Sequence, residues 1–210
     1  MIRVLIADDH AIVREGLKQI VGDTTDIVVA GEAANGHDVM AFLRTNTCEV
    51  VVLDIAMPGK DGLATLKEIK ASMPRLPVLV LSMFPEEQYA VRLLKAGASG
   101  YLTKESAPEE LVAAIRKVAA RGRYISASLG ETLAMLLDAG AELAPHERLS
   151  DREYQVMLLM ASGKSATEVA DEMCLSVKTI STYRVRALAK MGMRNTAEFA
   201  MYAGKAGLQG

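Results

Sequence analysis

Over its first 120 residues the chain alternates short apolar runs with longer amphipathic stretches. The runs lie near 3–7, 26–31, 49–53, 77–81 and 99–102. Several are almost wholly apolar, as in Val4-Leu5-Ile6-Ala7 and Val50-Val51-Val52-Leu53, the pattern of strands buried on both faces. Between them, 11–21, 36–44, 61–71, 86–95 and 107–119 carry apolar residues at helical spacing. Strand and helix in strict alternation predict an α/β fold, a doubly wound five-stranded parallel sheet with helices on both faces. Pro58-Gly59 breaks the chain after the third strand, and Gly97 and Gly100 punctuate the approach to the fifth.

The pattern then changes. Arg121-Gly122-Arg123 closes the first domain, 1–120, and 121–147 reads as a linker. Within it Ser128–Asp138 has helical spacing and Gly140 to Pro145 reads as a tether. Residues 148–210 form a second domain of all-α pattern, with helices over 151–162, 166–173, 177–191 and 196–206. Ser150/Glu153, Ser165/Glu168 and Asn195/Glu198 each fit a capping box, in which side chains satisfy the free amides of a helix start. Gly163 and Gly192 stand where helices should stop. The tight turn at Cys174-Leu175-Ser176 gives the second and third helices helix-turn-helix spacing.

Charge sharpens this division. Residues 1–120 carry 13 Lys+Arg against 16 Asp+Glu, whereas 148–210 carry 9 against 6. An acidic front and a basic back point to different partners, with nucleic acid plausible for the basic domain. Cys48 and Cys174 are too far apart in sequence for a disulfide framework and lack metal-ligand spacing, so both are expected to be ordinary buried thiols of a reducing compartment. A first strand starting near Ile2 leaves no room for a signal peptide, and no apolar stretch reaches the ~18 residues of a membrane span. The expectation is a cytoplasmic protein without membrane contact.

The chemistry sits where the runs end. Asp8 and Asp9 follow the first, Asp54 ends the third, Ser82 the fourth, and Lys104 follows the fifth. Open parallel sheets bind ligands at the carboxyl ends of their strands, so these groups should share one crevice. Clustered carboxylates repel one another unless a cation or a proton joins them, and Mg²⁺ takes oxygen ligands while sharing its shell with phosphate. Asp54 can then act as a nucleophile towards a phosphorylated donor. Lys104 would offset charge on the transferring group, and the Ser82 hydroxyl would reach one of its oxygens.

Ala7-Asp8-Asp9-His10, Leu53-Asp54-Ile55-Ala56-Met57-Pro58-Gly59, Leu81-Ser82-Met83 and Gly100-Tyr101-Leu102-Thr103-Lys104 resemble the receiver domain of bacterial response regulators. Leu149-Ser-Asp-Arg-Glu153 and Ser176-Val-Lys-Thr-Ile-Ser-Thr-Tyr183 resemble the LuxR-type helix-turn-helix. Together the motifs are similar to the NarL/FixJ family over nearly the whole chain. The resemblance implies a flavodoxin-like receiver in which Asp54 accepts phosphate from a sensor histidine kinase. It implies Mg²⁺ held by Asp9 and Asp54, by Asp8 through water, and by the backbone carbonyl of Ala56. Ser82 and Tyr101 would form the switch pair, Ser82 moving to the phosphoryl group and Tyr101 turning inward behind it. Ala56 and Phe84 stand where some receivers carry polar groups that orient a hydrolytic water, so a slowly hydrolysing phosphate is expected.

On the 177–191 helix, Val177, Ile180, Ala187, Leu188 and Met191 are expected to face the core. Lys178, Thr179, Ser181, Thr182, Val185 and Arg186 are the expected contacts to double-stranded promoter DNA in the major groove. Arg184, on the edge of the buried face, is expected to pair with an acid such as Glu153. Phe199, Tyr202 and Ala203 give the last helix an apolar surface suited to a homodimer formed on phosphorylation. RNA polymerase is a further candidate partner. The expected role is therefore transcription regulation rather than turnover of a substrate, the catalysis being limited to Asp54's own phosphorylation and dephosphorylation. A phosphohydrolase would need an acid/base carboxylate close to the nucleophile, and Ile55-Ala56 supplies none. A DNA-binding regulator controlled by protein contacts alone is the alternative.

Overall fold

The computed structural model describes residues 1–57, 62–126, 129–131 and 144–208, without the side chains of 87 and 88. The chain folds as two compact units, Met1–Gly130 and Glu131–Gly210.

In the first unit, β1 (Ile2–Ala7), β2 (Ile27–Ala33), β3 (Val50–Asp54), β4 (Val78–Ser82) and β5 (Gly100–Thr103) alternate with α1 (Ala11–Gly22), α2 (Gly36–Thr45), α3 (Gly62–Ser72), α4 (Glu86–Lys95) and α5 (Pro108–Ala119). All strand pairings are parallel, in the order β2-β1-β3-β4-β5. β3 and β4 are buried along their whole length, which is why their sequences run apolar without alternation. Val4, Ile6, Val52, Leu79 and Leu81 on one face pack with Leu17 and Val21 of α1 and with Leu111, Ile115 and Val118 of α5. The strand order reverses between β1 and β3, and in such sheets the crevice outside the strand ends at this point is the ligand site.

The first unit extends past the expected boundary at residue 120. Tyr124 bridges to Gly100 beside β5, its amide donates to Ser99 O (2.9 Å) and its hydroxyl to Glu110 (2.8 Å). Ser126 bonds to Glu86, and Leu129 is buried. Tyr124 thus docks beside the sheet edge, and this stretch belongs to the first unit instead of linking domains. The break at Pro58-Gly59 and most of the helix expected over 128–138 lie outside the described residues; 129–131 are helical.

The second unit comprises a 3₁₀ turn (Pro145–Arg148) followed by α6 (Asp151–Ala161), α7 (Ala166–Glu172), α8 (Val177–Met191) and α9 (Thr196–Lys205). The turn, expected to belong to the linker, is tied in by His146 Nδ1, 2.6 Å from the Tyr202 hydroxyl. Glu153 through Ala161 are all buried, so α6 forms the domain's spine. Complete capping boxes start α6 and α7. The third differs. Asn195 caps the Glu198 amide, but the Glu198 carboxylate accepts from Arg194 N and Asn195 Nδ2. Gly192 ends α8 in the left-handed conformation (φ 69°) expected of a glycine stop. Neither cysteine is a buried thiol as expected. Cys48 is half-buried, and burial pushes its thiol up to about 11; Cys174 is exposed, at φ 52° in the turn between α7 and α8.

Candidate functional site: an acidic crevice and an exposed basic helix

Parallel register brings the chemistry to one edge. Ala7 pairs with Leu53, Asp54 with Leu81 and Leu81 with Leu102, so Asp8 and Asp54 leave their strands level with each other, Ser82 one residue further on and Lys104 two. Asp8 and Asp54 are 1 % exposed and Ser82 is fully buried. Lys104 Nζ bridges the two carboxylates, 2.8 Å from Asp54 Oδ2 and 2.6 Å from Asp8 Oδ2. The contact to Asp54 is a directed hydrogen bond; that to Asp8 is an ion pair outside hydrogen-bond geometry. Asp54 Oδ1 accepts from Ala56 N (3.1 Å), which places Ala56 beside the carboxylate. Beneath it α3 begins at Gly62, where a Cβ would come within 2.2 Å of the Asp54 carbonyl oxygen. Only glycine permits this approach.

Burial raises the Asp54 carboxyl above its ordinary range; Lys104 opposes this and Asp8 reinforces it. Burial would lower the Lys104 ammonium, but Asp54 and Asp8 outweigh it and hold it above its usual value. Burial thus disfavours the charged form of both groups, and each supports the charge of the other.

One ligand atom each from Asp8, Asp9, His10 and Asp54 lies within 4.8 Å of the others. Asp9 Oδ1 is buried without a hydrogen bond, with His10 Nδ1 at 3.0 Å. An orphaned carboxylate oxygen beside two buried carboxylates fits a hard divalent cation. His10, quoted above only as part of a motif, also approaches Asp8 Oδ1 (3.3 Å). Its place directly after an acidic pair was the available signal. Arg14, not expected to take part, donates to the Asp8 carbonyl (2.7 Å) and so fixes the loop backbone.

Ser82 and Tyr101, the expected switch pair, are joined through the Phe84 peptide. Phe84 N donates to Ser82 Oγ (3.1 Å), and the Tyr101 hydroxyl donates to Phe84 O (2.6 Å). Tyr101 is 1 % exposed, so it already occupies the interior and has no inward turn left to make. Phe84 stacks on Tyr89 (ring centroids 4.7 Å apart) and holds this loop from its other side.

In the second unit, Lys178, Thr182, Val185 and Arg186 are exposed on α8, and Thr179 and Ser181 are half-buried. Lys178, Thr179, Thr182, Tyr183 and Arg186 line a hollow of about 300 Å³. Two hydroxyls are engaged within the chain: Thr179 with Ser176 at the cap, and Thr182 with Lys178 O. Three expectations need correction. Val177 is 44 % exposed, because it opens the helix before the core begins at Ile180. Arg184 does not pair with Glu153, whose partner is Lys190 (2.6 Å), and Arg184 Nε is buried without a hydrogen bond. Phe199 and Ala203 are fully buried in their own domain, where α9 packs on α6, and so present no pairing surface; Tyr202 is half-buried on His146.

Comparisons with known proteins agree with this geometry. Residues 4–116 match the response regulator receiver domain, and residues 147–203 match the bacterial regulatory proteins of the luxR family. The chain belongs to the NarL/FixJ family of two-component response regulators, with a receiver and a LuxR-type DNA-binding domain. It is 36 % identical over 209 residues to response regulator UvrY of Escherichia coli (strain K12), covering 99 % of this chain and 96 % of that one. It is also 36 % identical to response regulator GacA of Pseudomonas aeruginosa, covering 99 % and 98 %. RcsB of Salmonella enterica serovar Typhimurium, solved bound to promoter rprA in the presence of the phosphomimetic BeF3-, is similar with a TM-score of 0.61 at 28 % identity, covering 94 % and 97 %. Among the described residues no helix is long and apolar enough to cross a membrane.

Proposed function

We propose that Asp54 is phosphorylated by a sensor histidine kinase and that this modification controls promoter binding by the second domain. The observation that carries the reading is Lys104 Nζ between Asp54 and Asp8, 2.8 and 2.6 Å away, beside an Asp9 oxygen with no hydrogen bond. Mg²⁺ would be held by Asp9, Asp54, the Ala56 carbonyl and, through water, Asp8, where it supplies positive charge to the transferring phosphoryl oxygens. An Asp54 carboxylate oxygen attacks phosphorus, the bond from phosphorus to the donor imidazole breaks, and that imidazole leaves and takes up a proton. Lys104 passes from the carboxylate to a phosphoryl oxygen. The acyl phosphate carries about −1.5 to −2 of charge in place of the carboxylate's single charge, next to Ser82. Ser82 exchanges its Phe84 amide for a phosphoryl oxygen, and the Phe84 peptide passes that change to Tyr101. Apolar Ala56 and Phe84 position no water for attack, which favours a long-lived acyl phosphate.

Lys178 and Arg186 contact phosphates or guanine in the major groove, Val185 touches a thymine methyl, and Thr179, Ser181 and Thr182 add contacts to backbone or base edges. Thr182 gives up its bond to Lys178 O in order to do so. A single small module makes a small interface, so a homodimer on a two-fold site is the working species, paired through the outer side of α9 where Met201 is 64 % exposed. RNA polymerase is a further partner of such a complex, in the cytoplasm. One observation favours a second reading, in which protein contacts replace phosphate: Tyr101 already lies inside.

Genomic fragments retained by the protein with Mg²⁺ and acetyl phosphate, compared with Asp54→Asn under the same conditions, test the choice. Enrichment of particular fragments by wild type alone is expected. Equal enrichment by both would favour the second reading.

A further inference from the structure

At the edge of the sheet opposite Asp54, around the amino ends of β4 and β5, lies a cleft of about 410 Å³ lined by Lys70, Arg75, Arg121 and Arg123 and by no carboxylate. We propose that this cleft binds an oligophosphate anion through these four cations.

Elsewhere on the same unit, Arg116 pairs with Asp26, Lys18 with Glu15 and Glu32, and Arg14 with Glu32. None of the four cleft cations makes an ion pair among the described residues. Lys70 is nonetheless fixed in position. Its stem lies against Gly97, where an added Cβ would come within 3.0 Å of Lys70 Cγ and where φ is +104°. Its Nζ donates to the Leu76 carbonyl (2.6 Å). Burial and then the nearby charge of Arg123 lower the Lys70 ammonium below its usual range, so the pair is uncomfortable until a negative group joins it.

Arg121 adds backbone strain. It follows α5 at φ 62°, a conformation that is strained for a residue with a Cβ and that glycine adopts freely. The turn is held by Arg121 N on Val118 O (2.9 Å) and Gly122 N on Lys117 O (3.0 Å). Strain of this kind gathers at ligand clamps.

The chemistry selects the ligand. Arginine forks and a lysine are the side chains that recognise phosphate oxygens. Four positive groups exceed the charge of one carboxylate or one phosphate, and the volume lies within the range of small-ligand sites. A pyrophosphoryl group, free or carried by a nucleoside, meets both conditions. The site is separate from the Asp54 crevice and shares no residue with it.

Titration calorimetry of the full chain in EDTA, with inorganic pyrophosphate in one arm and ADP in the other, tests this. Binding in either arm is expected, and tighter binding of ADP would identify a nucleoside as part of the ligand. Arg123→Ala and Arg121→Gly should each weaken it about tenfold, the loss of a charge-assisted hydrogen bond. Neither should melt below wild type, since Arg123 is exposed and glycine relieves the backbone at 121. Arg186→Ala, in the other basic region, should bind as wild type. Absence of binding in both arms, or loss on Arg186→Ala with the two cleft variants unaffected, would overturn the proposal.

Discussion

The acidic crevice and the α8 face handle charge in opposite ways. In the crevice Asp8, Asp54 and Lys104 are taken out of water, come from residues up to the whole sheet apart in sequence, and depend on one another. On α8, Lys178, Val185 and Arg186 come from neighbouring turns of one helix, stay in water and support nothing around them. Substitutions in the first region should therefore unsettle the domain itself, whereas substitutions in the second should change only what it binds.

The largest break with that contrast comes from removing the shared cation. Lys104→Met leaves two buried carboxylates facing each other. Stripping one partner from a buried ion pair costs roughly 3–5 kcal/mol. Urea unfolding in EDTA should show a loss of about 3 kcal/mol, with a large part regained on adding Mg²⁺. An unchanged midpoint would mean that the carboxylates do not depend on Lys104.

On the other side, Arg186→Ala should leave the urea midpoint where it is. Its effect belongs to DNA: affinity falls by a similar factor for all sequences, and the slope of log affinity against log salt drops by about one if a phosphate contact is lost. Anisotropy titrations across salt concentrations read this directly. A change confined to one base pair would instead make Arg186 a base reader.

Smaller effects separate structure from recognition within the second domain. Ser165→Ala removes the hydroxyl that caps the Glu168 amide and should cost about 1 kcal/mol, read by thermal unfolding. Glu153 gives a pH test. Burial opposes its ionisation, but Lys190 and the Ser150 amide and hydroxyl prevail and hold the carboxyl below its usual range. Its stabilisation is thus complete above the unfolded value of about 4.3 and is lost as pH falls through the lower folded value. Lys190 is 44 % exposed and screened by solvent, so the pH-dependent part should stay under about 1 kcal/mol. Glu153→Gln should flatten the acid limb of the stability profile.

Strand ends were legible because buried parallel strands announce themselves as apolar runs, and chemistry at their carboxyl ends needs only sheet order to converge. The helix starts were legible because capping is local, as Ser150 and Ser165 show. What was lost concerns partners chosen in three dimensions. A helical wheel puts Arg184 near the buried face, but only packing decides that Lys190 reaches Glu153. Phe199 reads as a surface aromatic until four short helices leave it nowhere else to go than the core. Tyr124 and Leu129 look like linker because only the folded unit shows that Tyr124 bridges to Gly100 beside β5 and that Leu129 is buried. The Phe84 peptide that joins Ser82 to Tyr101 has no side-chain signature at all.

Intact mass spectrometry of the full chain incubated with Mg²⁺ and acetyl phosphate is the most direct test of the assembled crevice. One acid-stable, base-labile phosphoryl adduct is predicted for the wild type, absent from Asp54→Asn and absent in EDTA. A wild type that never gains the adduct, or an Asp54→Asn that gains it equally, would contradict the account.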